Sequence, residues 1–249
     1  MSKLSKPVAA LHQKAMDLVH SDKRLNQEER YFVAENYRED AQHVNSVNGA
    51  FFTPLDLSHD FAMGCNYGEH LRSLVDLCAG IGNLSLPFYE RMEDKSRLTL
   101  VEINPDYVMV GKRIMPDARW IVADVLDVKE WWDGQKYGFA IANSPFGNVC
   151  ISSQVKRFFK SRHGFEFYVM ELAAAVANDA AFIVPQMSVP FKYSGNNGFT
   201  VHQPEKYRQF AEATGLALDL LISVDCNAYI DQWHGVRPVV ELVTFAEAA

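Results

Sequence analysis

A doubly wound, mostly parallel α/β sheet is the fold predicted by this chain of 249 residues. Three observations predict it. From Leu74 onward, short apolar, β-branched runs alternate with helical stretches, the order that builds a parallel sheet covered by helices. Most of these runs end in or next to a polar or acidic residue, and α/β sheets bind their ligands outside the carboxyl ends of the strands. The last two runs have no helix between them, which predicts a terminal antiparallel hairpin.

Residues 1–48 read as a helical N-terminal extension, and 49–249 as the α/β domain. Leu11, Ala15, Leu18 and Val19 recur at helical spacing. Asn26, followed by Glu28 and Glu29 and then by Tyr31-Phe32-Val33, has the pattern of a helix N-cap with acidic residues in the first turn. Seven strands follow, over 74–78, 98–102, 119–124, 138–142, 180–184, 218–224 and 239–245, with a helix over 165–177 before the fifth. Between the last two strands, 232–238 is turn-rich. The stretch 185–203 contains Ser194-Gly195-Asn196-Asn197-Gly198 and reads as a mobile loop, in which Phe191 or Tyr193 is either a second aromatic wall for a ligand or an ordinary loop residue.

Composition narrows the class. Hydrophobic residues make up 48% of the chain, enough for a sizeable core and too many for disorder. No apolar run approaches the ~20 residues needed to span a bilayer, and Met1-Ser2-Lys3-Leu4-Ser5-Lys6-Pro7 lacks the apolar core of a signal peptide. Cys65, Cys78, Cys150 and Cys226 lie far apart without a CxxC, so neither a disulfide framework nor a metal site is expected, and a cytoplasmic location is. His59, His70, His202 and His234 show no ligand spacing, and Trp131-Trp132 is expected to cover an edge of the core. The net charge of -7 argues against non-specific coating of nucleic acid. A local basic run nonetheless exists at Lys156, Arg157, Lys160, Arg162 and His163. On its own it reads as readily as a solvated face; its position shortly after the fourth strand favours contact with nucleic acid.

The strand ends carry the chemistry. The fourth run leads into Asn143-Ser144-Pro145-Phe146. An amide oxygen and a turn carbonyl accept hydrogen bonds from an amino group, and an aromatic ring stacks on a flat heterocycle. The set suits a planar substrate with an exocyclic amine, a nucleobase or an amide. After the first strand, Ala79-Gly80-Ile81-Gly82 lets the backbone turn tightly and approach a ligand. Glu102 ends the second strand about 20 residues beyond Gly82, a distance suited to binding ribose hydroxyls. An NAD site therefore stays open, although Ser85 stands where a third glycine would. Asp124 ends the third strand and can accept a hydrogen bond from an adenine amino group. Each acid taken singly reads equally well as a helix cap or loop carboxylate; their succession at neighbouring strand ends favours a ligand site.

In this order, Asp76-Leu77-Cys78-Ala79-Gly80-Ile81-Gly82, Glu102, Asp124 and Asn143-Ser144-Pro145-Phe146 resemble the class I S-adenosylmethionine-dependent methyltransferases, which have a Rossmann-like seven-stranded sheet. The tetrad is similar to the Asn/Asp-Pro-Pro-Tyr/Phe motif of the amino methyltransferases, and Phe52-Thr53-Pro54 to the Phe-Thr-Pro segment of N6-adenine DNA methyltransferases. The resemblance implies that Phe52 and Thr53 contact the methionine end of the cofactor S-adenosylmethionine. It makes Asp76, Ala79, Gly80 and Gly82 the cofactor loop, with Glu102 on the ribose and Asp124 on the adenine. It gives Asn143 and the Ser144 carbonyl the target amine and Phe146 the target base, with Pro145 as the rigid turn. Ser144 departs from the family's proline and keeps the carbonyl. The expected function is methylation of the N6 amine of adenine in DNA, with loose sequence specificity because no long target-recognition region is present. RNA adenine, a protein glutamine amide, and a non-catalytic S-adenosylmethionine-binding module are the alternatives, in that order. No oligomeric state is implied.

Overall fold

The computed structural model describes residues 4–39, 51–65, 72–145, 159–160 and 164–246. Helices α1 (Lys6–Val19) and α2 (Gln27–Asn36) form where the spacing predicts them. Asn26 caps α2 reciprocally: Asn26 Oδ1 accepts the Glu29 N–H at 2.9 Å, and Glu29 Oε2 accepts the Asn26 N–H at 3.1 Å, a capping box that stabilises a helix start by about 1 kcal/mol. Ala15, Val19, Val33 and Ala34 are buried in the same cluster as Leu74, Leu98 and Ile141 of the sheet. The two helices thus pack on the α/β body, and the boundary expected near residue 48 lies outside the described residues. Helix α3 (Leu55–Gly64) starts directly after Pro54.

The strands are β1 (Leu74–Asp76), β2 (Leu98–Glu102), β3 (Arg119–Val122), β4 (Tyr137–Asn143), β5 (Ala177–Pro185), β6 (Phe191–Lys192), β7 (Thr200–Val201), β8 (Leu218–Leu220) and β9 (Val240–Phe245). Seven of them form one sheet in the order β3-β2-β1-β4-β5-β9-β8. The five strands from β3 to β5 are parallel, and β9 pairs antiparallel with both β5 and β8. The expected terminal hairpin therefore exists, with its second strand inserted against β5. Helices α4 (Leu86–Arg91), α5 (Pro105–Ile114), α6 (Phe165–Val176) and α7 (Glu205–Thr214) complete the two outer layers.

Strand pleating sorts the core into two faces. Leu74, Leu100, Phe139, Ile141 and Ile183 pack with α1 to α5. Val75, Val101, Ala140, Ala142 and Phe182 pack with α6 and α7. Burial on both faces is why these strands read as continuous apolar runs rather than alternating ones. The parity also puts Asn143 on the face of Ile141, towards α3 and the segment before it.

Several elements differ from expectation. β1 stops at Asp76 and β3 at Val122, because Asp76 and Asp124 turn the chain by accepting the N–H groups of Cys78 (3.3 Å) and Leu126 (2.9 Å). Between β8 and β9, Cys226–Tyr229 forms one 3-10 turn capped by Asp225, whose Oδ1 accepts the Asn227 N–H at 2.9 Å. The stretch 185–203, expected as a mobile loop, carries the β6–β7 hairpin and is held from beneath. Glu241 of β9 is fully buried. It accepts from Gln186 Nε2 (2.7 Å), Tyr193 N (2.8 Å), Ser194 N (3.0 Å) and Ser194 Oγ (2.9 Å), so both of its oxygens are satisfied by neutral donors. Trp131 is buried, and its indole N–H donates to Val125 O at 3.0 Å.

Candidate functional site

The order of the strands reverses between β1 and β4, since β1 pairs with β2 on one side and β4 on the other. A crevice opens outside the strands at such a reversal. Here a cleft is lined by Phe51, Phe52, Thr53, Cys78, Ala79, Gly80, Asn83, Leu84 and Asn143. The structure thus gathers Phe52, Thr53, Ala79, Gly80 and Asn143, drawn from three separate sequence stretches.

The glycine loop is shaped by two carboxylates. Asp76 is fully buried and takes Ser85 Oγ at 2.7 Å, so it closes the loop from below and does not line the cleft. Burial pushes its carboxyl up to about 7, against the opposing pull of the Ser85 and Cys78 hydrogen bonds. Ser85, read as the missing third glycine, is the partner of this acid. Glu102, at the end of β2, accepts Gly80 N and Asn104 N, each at 2.8 Å. Burial raises its pKa, while those backbone N–H groups work the other way.

Both glycines have positive φ, +57° at Gly80 and +94° at Gly82, a region that costs other residues strain. A Cβ on Gly80 would lie 3.1 Å from the Phe52 ring, so Gly80 opens the cleft. A Cβ on Gly82 would fall 2.1 Å from Met115 Cε and 3.1 Å from Trp120, so Gly82 serves close packing under the loop. Cys78 lines the cleft, and burial together with the nearby Glu102, Asp76 and Asp124 carboxylates pushes its thiol well up, which keeps it neutral and a poor nucleophile.

The segment 51–53 forms the opposite wall. The Phe52 ring packs edge-on against Tyr107 at 5.0 Å. Its N–H donates to Glu39 Oε1 at 3.0 Å, and Glu39 Oε2 lies 2.6 Å from His234 Nδ1. Asn143 Nδ2 donates to Thr53 Oγ1 at 2.8 Å and to Phe51 O at 3.3 Å. Asn83 Nδ2 donates to Thr53 O at 3.1 Å and Ala34 O at 3.0 Å. The amide oxygens of Asn83 and Asn143 are buried and have no hydrogen-bond partner among the described residues. A buried acceptor without a donor is costly, about 1–3 kcal/mol, and a ligand that brings N–H groups into this cleft would satisfy both.

Ser144 is buried and Pro145 half-buried at the turn after β4. Asp124 is exposed on the turn after β3, outside the lining of the cleft. Lys160 is exposed, with its backbone N–H on Glu171 Oε1 at 2.8 Å. Phe146, Lys156, Arg157 and Arg162 lie outside the described residues. Phe191 cannot be an aromatic wall: it is 1% exposed and stacked on Phe199 at 5.1 Å. Tyr193 is half-buried over Glu241. Sequence reasoning missed Asn83 and Glu39. Asn83 carries a signal, an amide directly after the second glycine. Glu39 carries none, because its partners lie 13 and 195 residues away. Among the described residues, no group of three or more His, Cys, Asp or Glu side chains converges as a metal site, and no helix is long and apolar enough to cross a membrane.

No family model matches the sequence, and no curated protein matches it. Solved structures do. One is a Vibrio vulnificus protein described as a modification subunit of a type I restriction enzyme, with a TM-score of 0.59 and 13% identity over 89% of this chain and 50% of that one. Another is a Listeria monocytogenes protein described as a class I S-adenosylmethionine-dependent methyltransferase, with a TM-score of 0.58 and 12% identity over 97% and 81% of the two chains. A third is the methyltransferase subunit of a type I restriction-modification system from Streptococcus thermophilus, with a TM-score of 0.55 and 12% identity over 90% and 51%. The chain spans about half the length of the two type I subunits. At such identities the likeness concerns the fold, and the fold of this chain is that of the class I S-adenosylmethionine-dependent methyltransferases.

Proposed function

We propose that this chain transfers a methyl group from S-adenosylmethionine to the exocyclic N6 amine of adenine in DNA, with loose sequence specificity and in the cytoplasm. The observation that carries this reading is the Asn143 amide at the end of β4. Both of its hydrogens are committed to protein acceptors, while its oxygen is buried at the cleft of the glycine loop with no partner among the described residues. That oxygen is an acceptor held ready for an amine. The fold and its likeness to type I modification subunits support a nucleic acid acceptor, with DNA favoured.

The cleft also fits the cofactor. Gly80 leaves open the space that a Cβ would close against Phe52, and the Asn83 oxygen stands without a donor. Phe52, Ala79 and Gly80 would hold the cofactor, with Glu102 on its ribose and Asp124 on its adenine, while the Thr53 hydroxyl is taken by Asn143. When bound, S-adenosylmethionine supplies a methyl group on a sulfonium, a strong electrophile. The remaining work falls to the chain. An aromatic amine is a weak nucleophile, because its lone pair is delocalised into the ring. The Asn143 oxygen and the Ser144 carbonyl accept its hydrogens and favour a more pyramidal nitrogen. They also offset the positive charge that develops on it, so most of the rate comes from positioning and electrostatics. Phe146 would stack on the base, which must leave its duplex to reach the cleft. The basic run at Lys156, Arg157, Lys160 and Arg162 would hold the phosphate backbone.

A labelled-methyl transfer assay across duplex DNA, single-stranded DNA, RNA and protein, with mass analysis of the nucleosides, tests this reading. N6-methyladenine in DNA is the expected product. Label in RNA or protein alone would move the function to one of the alternatives. Tight binding of NAD without binding of S-adenosylmethionine would overturn it.

A further inference from the structure

We infer that Thr53 is a positioning residue that fixes the orientation of the Asn143 amide towards the reacting amine, an inference that rests on the methyl-transfer reading above. An asparagine amide has two ends of nearly equal size, so sterics alone do not choose between them. Only hydrogen bonds do. Turned the wrong way, Asn143 would present N–H groups to an amine and repel it.

The structure commits both hydrogens of Asn143 Nδ2, one to Thr53 Oγ1 at 2.8 Å and one to Phe51 O at 3.3 Å. The two contacts divide the task. The Phe51 carbonyl only accepts, so it selects the nitrogen end. The Thr53 hydroxyl, at the shorter distance, anchors that end. The anchor is itself immobilised from both sides. The Thr53 carbonyl accepts Asn83 Nδ2 at 3.1 Å, and the neighbouring Phe52 N–H is held by Glu39 at 3.0 Å. Thr53 is 3% exposed, so water cannot replace its hydroxyl when it is removed. The glycine loop, the segment 51–53 and the end of β4 are thereby joined by one run of hydrogen bonds that ends at the amide.

This role makes a different prediction from a contact to the cofactor. Losing a cofactor contact lowers affinity for the cofactor; losing an anchor of Asn143 lowers turnover and leaves that affinity alone. Thr53→Val keeps the shape and removes the acceptor, leaving a buried N–H unpaired, an effect of roughly ten- to a hundredfold in rate. Thr53→Ser keeps the hydroxyl.

The test compares wild type, Thr53→Val and Thr53→Ser in three measurements. Calorimetry with S-adenosylhomocysteine is expected to give the same affinity for all three within about twofold. The kcat for transfer to DNA is expected to fall roughly ten- to a hundredfold in Thr53→Val and to recover most of that loss in Thr53→Ser. The side-chain N–H pair of Asn143, followed by NMR hydrogen exchange without substrate, is expected to be protected in wild type and Thr53→Ser and to lose protection in Thr53→Val. If Thr53→Val weakens S-adenosylhomocysteine as much as it slows turnover, or if Thr53→Ser is as slow as Thr53→Val, the inference is wrong. If wild type transfers no methyl group to any acceptor, the functional reading fails. The role of Thr53 is then judged by the exchange data, and equal protection in Thr53→Val and wild type overturns it.

Discussion

Asp76 and Glu102 show how carboxylates at strand ends become parts of the scaffold. Asp76 is sealed beneath the glycine loop on Ser85 Oγ, and Glu102 ties β2 to Gly80 N. The Asp76 carboxyl is pushed up to about 7 from an ordinary 3.8, so the folded state holds its proton more tightly than the unfolded chain. Its contribution to stability is complete below about pH 4 and is lost as pH rises through about 7. Asp76→Asn keeps an acceptor for Ser85 and removes this dependence. Urea midpoints are therefore expected to fall more steeply between about pH 4.5 and pH 8.5 in wild type than in the variant; equal slopes would contradict the assignment. At this scale Asn143 was legible, because an amide ending an apolar strand is a local pattern. Glu39 was not, because its importance comes from contacts with Phe52 and His234 made only on folding.

At the scale of elements, the β6–β7 hairpin beside the site depends on Glu241. Four donors converge on this buried carboxylate, from Gln186, Tyr193 and Ser194. Glu241→Leu would strand them in a dry interior, at a cost of about 3 kcal/mol or more. The expected results are a lower melting temperature and faster proteolysis within 193–199; an unchanged cleavage rate there would show that the hairpin holds without Glu241. The hairpin was illegible in the sequence for physical reasons. Its strands are two residues long, too short to show a period of two. Its anchor lies 47 residues further along the chain. By contrast, Asn26 announced α2, since its capping box is complete within four consecutive residues.

For the whole molecule, the parallel strands were legible because helices cover both faces of the sheet, and strands buried on both sides are apolar without interruption. The antiparallel end was legible from the missing helix between the last two runs. The insertion of β9 beside β5 was not, since pairing partners leave no mark on a single strand's pattern. What the fold accomplishes is the assembly at its carboxyl edge of residues from α2, the segment 51–53, the glycine loop and β4 beside one amide. Side-by-side transfer of labelled methyl to duplex DNA by wild type and Asn143→Ala tests that claim most directly, with S-adenosylhomocysteine affinity measured on both. The account predicts labelled N6-methyladenine from wild type, at least about a hundredfold less from Asn143→Ala, and nearly equal affinities. Equal transfer by the two proteins, or no label in DNA adenine from wild type, would contradict it.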